Sequence, residues 1–209
     1  MKTLNLTLRL FVIIAILFSG FLMVRITLPY FSFRYDVDFL LTKQNALYLD
    51  IWRLSFYIHI STSLIVLLVG LFQFIKPIQV NYPVFHRLAG KIYVLLILLL
   101  SAPSGFVMAL YANGGFWAKC SFTIISVLWW VFTYVAYAKI IKRKTQAHIA
   151  YMVRSYALTL SAISLRTYVV VLPHFIHLHS KEMYVTVAWL SWIPNLLIAE
   201  LLIRQRVFK

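Results

Sequence analysis

Six long apolar runs fill most of this chain, and a chain with six such runs has few ways to fold. They cover approximately residues 10–28, 51–75, 92–111, 122–141, 153–172 and 184–203. Each holds roughly 19 to 25 residues, and about 20 residues at 1.5 Å rise cross a hydrocarbon core of about 30 Å. No water reaches the peptide groups inside lipid, so each N–H and C=O must find its partner within the protein, and a helix supplies it within the segment. The predicted fold class is therefore all-α: a polytopic membrane protein, one bundle of six transmembrane helices over residues 1–209.

Composition enters here as a check on that class. Apolar residues make up 63% of the chain and charged residues 12%, against about 25% charged in soluble domains. The connections are too short to hold a separate soluble domain. The first run follows a basic segment, as a secretory signal would. It lacks a small-residue cleavage pattern, continues to Leu28 and carries Arg25 near its end, so it reads as a retained first helix. Cys120 is the one cysteine, which excludes an intramolecular disulfide and any cysteine-based metal site. No nucleophile elbow, phosphate loop or H-E-x-x-H string is present.

A net charge of +15 suggests an anionic partner, and its distribution says which. If the N-terminus is cytoplasmic, the inner segments carry Lys2, Lys76, Arg87, Lys91, Lys139, Lys142, Arg143, Lys144, Arg204, Arg206 and Lys209. The outer segments carry only Arg34, Lys43, Lys119 and Lys181. This is the positive-inside bias, with both termini cytoplasmic in a bacterial inner membrane. The partner it implies is a bilayer with anionic head groups, at about 1 kcal/mol per basic residue near the surface. Nucleic acid is not needed to explain the charge.

The longest connection, residues 29–50, faces outward and holds Asp36, Asp38 and Asp50. Residues 76–87 contain Pro77 and Pro83 and read as a turn, and residues 139–148 read as a basic connector. Asn113-Gly114-Gly115 marks a tight turn. Trp52 and Trp117 fall near predicted interfaces, where amphipathic rings anchor helices.

The residues that do not belong in lipid are the candidates for function. The fifth run carries Arg154 and Arg166, and a central arginine costs about 2.5 to 3.5 kcal/mol on insertion scales. Glu200 is the one acidic residue inside any run, and it shares a cytoplasmic half with Arg154, so these two are expected to pair. Arg166 has no such partner. It lies in the outer half, with His59 in the second helix and Ser101 and Ser104 beside Pro103, whose ring frees a carbonyl and kinks the third helix. His59, Ser101, Ser104 and Arg166 are therefore expected to line one polar pocket that takes an anionic or redox-active group.

Histidines occur toward both faces. Facing histidines on two helices can clamp a haem b iron axially, with arginines holding the propionates. That arrangement suits His86 with His148, or His59 with His174, and makes Arg154 and Arg166 candidate cofactor contacts. The run His174-x-x-His177-x-His179 has spacing that suits zinc or copper, or alternatively a wet interfacial loop.

Four strings carry a family resemblance: His86-Arg87-Leu88-Ala89-Gly90-Lys91, Pro103-Ser104-Gly105, Tyr111-Ala112-Asn113-Gly114-Gly115, and Arg154-Ser155-Tyr156-Ala157-Leu158-Thr159-Leu160-Ser161-Ala162. With them the chain resembles a bacterial family of predicted integral-membrane proteins defined as a domain of unknown function. The resemblance implies that His59, His86, Arg87, His148, Arg154 and Arg166 are family-like polar positions. At fold level the chain is also similar to small transmembrane b-type cytochromes, which implies haem b or a quinone and electron transfer. A non-redox small-molecule carrier, or a partner subunit of a membrane complex, stays open beside it.

Overall fold

The computed structural model describes residues 6–207. Among them, six helical stretches are long and apolar enough to cross a membrane. They are α1 (Leu6–Thr27), α2 (Asp50–Phe72), α3 (Pro83–Leu110), α4 (Phe116–Ile141), α5 (Thr145–His174) and α6 (Ser180–Arg204). No strand occurs among the described residues.

The apolar runs locate all six helices and misplace several ends. The expected turn at residues 76–87 is instead a short helix, Lys76–Asn81, followed directly by the start of α3 at Pro83. Proline is well placed there, because the first turn of a helix has no internal acceptor for its N–H. Likewise α5 begins at Thr145, inside the expected basic connector. Hydropathy reports contact with lipid, whereas helix continues through polar turns that project beyond it.

Three of the six helices are interrupted, each for a local reason. In α3 a wide π turn, Ile97–Ser101, separates Pro83–Leu96 from Ala102–Leu110, just before Pro103. Pro103 has no N–H to give the carbonyl of Leu99, and the Ala102 N–H reaches back five residues to Ile97 O. The Leu98 carbonyl released in this way accepts from Trp130 Nε1 of α4 at 3.1 Å. In α5 the break falls at Leu160, between Thr145–Thr159 and Ser161–Val171. There Asn195 of α6 reaches in and donates to Ala157 O at 3.2 Å. In α6 the break falls between Ser180–Leu190 and Ile193–Arg204, where Pro194 cannot bond backward.

The core joins α2 through α6 around Val66, Tyr93, Ile97, Trp129, Tyr156 and Trp192. Small residues let the helices approach: Gly70, Ser101, Ala102, Ala136, Ser155 and Ser191 are all buried. Hydroxyls stitch the middle together. Tyr93 Oη lies 2.9 Å from both Ser155 Oγ and Thr159 Oγ1, and Thr133 Oγ1 lies 2.7 Å from Ser155 Oγ. Trp129 Nε1 donates to Thr159 Oγ1 at 3.1 Å. The outer surface is apolar, with Phe11, Phe18, Leu54, Leu99, Val170 and Leu197 exposed, as a lipid solvent requires.

The connection between α1 and α2 packs over one end of the bundle through Leu40, Ala46, Leu47, Trp52 and Phe56. Trp52 is a correction to the sequence expectation. It is fully buried and stacks on Phe56 at 5.5 Å, because the folded loop covers it, so its ring does not face the head groups as an exposed anchor. Trp117 is 64% exposed at the start of α4, where an interfacial ring should be.

Candidate functional site

Arg154 and Glu200 meet across α5 and α6. Arg154 Nε donates to one Glu200 oxygen at 2.5 Å and Nη2 to the other at 2.9 Å, and the guanidinium sits over the Tyr151 ring at 4.9 Å. This two-pronged geometry satisfies both carboxylate oxygens and engages the charge that is costly in lipid. Arg154 therefore serves Glu200 here.

The outer histidine is fixed by the interrupted α3. His59 Nδ1 donates to Ser101 O at 2.8 Å, and Ser104 Oγ donates to Leu100 O at 2.6 Å and toward Ser101 O at 3.1 Å. Ser101 Oγ donates to Thr62 Oγ1 at 2.7 Å. The three predicted pocket residues on α2 and α3 are thus brought together, at a carbonyl beside the π turn. The fit is tight: a Cβ added at Gly105 would lie 2.9 Å from His59 Cε1 and 3.1 Å from Nδ1. Arg166 is within electrostatic reach of His59 and Tyr30, but its guanidinium bonds Ala162 O of its own helix at 3.1 Å. No ion pair to Arg166 exists among the described residues.

His59 and His174 are not brought together. His59 faces α3 and the Trp129 ring of α4, whereas His174 is exposed and bonds Val170 O at the end of its own helix. His177 and His179 are likewise exposed. Among the described residues no group of three or more histidine, cysteine or acidic side chains could hold a metal ion, so the His174, His177 and His179 run does not form such a cluster.

At the opposite end of the bundle the picture differs. His86 of α3 and His148 of α5 are within electrostatic reach of each other. His148 Nδ1 donates to Ala136 O of α4 at 2.8 Å, which leaves its Nε2 as the lone-pair nitrogen. His86 Nδ1 is buried with no hydrogen-bond partner. Gln73, only 6% exposed, has a second buried and unpartnered atom, Nε2, while its Oε1 sits 3.0 Å from where a Gly90 Cβ would be, one turn along from His86. Unmade bonds of this kind are costly at buried atoms.

A family profile described as predicted membrane protein (DUF2306) matches residues 56–203. The chain belongs to this family. No curated protein and no solved structure matches it. The DUF2306 match takes in His59, His86, His148, Arg154, Arg166, His174 and Glu200, while α1 and the loop after it lie outside. As a DUF2306 member the chain is an integral-membrane protein, and the family description adds no reaction. Sequence reasoning missed Gln73 and Asn195 as site and joint residues. Each is an amide side chain inside a predicted apolar run, and that was the available signal.

Proposed function

We propose that this protein is an integral-membrane haem b protein, in which His86 and His148 would hold the iron. The observation that carries the reading is His148, whose Nδ1 is committed to the Ala136 carbonyl so that Nε2 carries the lone pair, within electrostatic reach of His86. A second-shell bond of that type orients a ligating histidine and raises its basicity. Arg87 and Lys91 on α3, with Arg143 and Lys144 before α5, supply cations that suit propionates. A haem bound there supplies a one-electron iron couple. The His59 group, tightly packed against Gly105, acts in this reading as structural bonding around the π turn.

The test is an absorption spectrum of protein purified from haem-supplied cells, oxidised and then reduced. His86→Ala and His148→Ala should each abolish the reduced haem bands while the protein still folds, and His174→Ala should keep them. A folded wild-type protein without haem bands overturns the proposal. That result would favour the carrier reading, which the interruptions in α3, α5 and α6 support because broken helices recur at transporter binding sites.

The same reading puts the histidine pair at the cytoplasmic side of a bacterial inner membrane, with both termini cytoplasmic, on the strength of the basic bias. Reporter fusions after Ala46, Gly114 and Ser180 should then read external, and fusions after Gln79 and Thr145 internal. A swapped pattern reverses the orientation.

A further inference from the structure

The end of the bundle that the α1–α2 loop covers holds an arrangement unrelated to the histidine pair. Lys43 is 4% exposed, although lysine is almost never buried without a partner. Its ammonium donates to Tyr111 O at 2.6 Å and to Asn113 Oδ1 at 2.7 Å, and sits 5.5 Å from the Phe39 ring centre. These acceptors are neutral. The acidic groups found in ion pairs, Asp36, Asp50 and Glu200, are engaged by Arg34, Arg53 and Arg154. An ammonium has three N–H donors, so one is left over. Beside it opens a cleft of about 570 Å³ lined by Thr42, Lys43, Leu49, Tyr111, Asn113 and Lys119. Lys119, on α4, brings a second positive charge to the same space.

We propose that this cleft binds a phosphate group, presented either by an anionic phospholipid head group or by free phosphate, between Lys43 and Lys119. Two ammonium groups without a carboxylate form a cationic site that repels itself when empty, and a phosphate with several acceptor oxygens engages both. Burial first, and then the charge of Lys119, pull the Lys43 ammonium down to about 8, as expected of a cation that lacks its counter-charge. The mixed lining, with Leu49 beside polar groups, also suits a head group at the membrane surface.

The experiment follows the melting temperature of the full-length protein in two settings. In detergent, inorganic phosphate is titrated against chloride at equal ionic strength. In phosphatidylcholine vesicles, the protein is compared with and without phosphatidylglycerol. A ligand that binds only the folded state raises the melting point. A rise with inorganic phosphate identifies the free anion, and a rise with phosphatidylglycerol alone identifies the head group. Lys119 is exposed, so Lys119→Gln should fold normally while weakening binding about tenfold. Lys119→Arg, which keeps the charge, should restore most of the effect. No rise in either setting, or an undiminished rise in Lys119→Gln, overturns the proposal.

Discussion

Replacing Glu200 by glutamine should destabilise the protein by about 1 to 3 kcal/mol, because it leaves the part-buried Arg154 guanidinium without its carboxylate. The carboxylate accepts two hydrogen bonds from Arg154 at 2.5 and 2.9 Å, and the two side chains are 20% and 38% exposed on helices that cross the membrane. Glutamine matches the shape of glutamate but not its charge, so the guanidinium stays in place with nothing to neutralise it. Arg154→Gln should cost a similar amount for the converse reason. The double variant Arg154→Met, Glu200→Leu should recover much of the loss, since the cost of each single change lies in the orphaned partner. Reversible unfolding in mixed micelles measures this. Single variants within about 0.5 kcal/mol of the wild type would mean that the pair is a surface ornament.

Gly70→Ala is the second large effect, at about 3 kcal/mol of destabilisation. A methyl group at Gly70 would meet Tyr156 Cε2 at 2.5 Å and Cδ2 at 2.7 Å, and Tyr93 Cε2 at 2.8 Å. Neither ring is free to move. Tyr156 Oη donates to Leu67 O at 3.2 Å, and Tyr93 Oη is held by Ser155 and Thr159. In an open helix the same change would gain about 1 kcal/mol of helix propensity, so the sign of the result is itself informative. A melt showing Gly70→Ala to be as stable as the wild type would mean that α2 and α5 can separate at little cost.

The physics that made parts of this structure legible in the sequence also marks where legibility stopped. Spanning helices impose about 20 apolar residues in a row, so all six could be read directly. The Arg154 and Glu200 pair was readable because lipid leaves a lone acid few choices, and one candidate partner lay at its depth. The beginnings of α3 and α5 were not readable from hydropathy, because Pro83 and the polar turn after Thr145 are helical beyond the apolar runs. Trp52 is not an exposed anchor because its neighbour in space, the loop carrying Leu40 and Leu47, folds back over it. His59 could be assigned a depth but not a role. Its partner is the Ser101 carbonyl, beside a π turn that residue types alone do not announce. Lys43 looked like another surface charge, since only the folded loop reveals that it points inward.

Asn195 gives the paired breaks in α5 and α6 a mechanical meaning. Its amide nitrogen lies 3.2 Å from Ala157 O, 3.0 Å from Ser164 Oγ and 3.2 Å from Ser191 O. An amide has two hydrogens, so three acceptors compete for them. The side chain therefore ties the interrupted halves of α5 and α6 together with one acceptor more than it has hydrogens. In a hydrocarbon setting, where water cannot stand in for a missing contact, that surplus lets two helices carry a break side by side without stranding the amide.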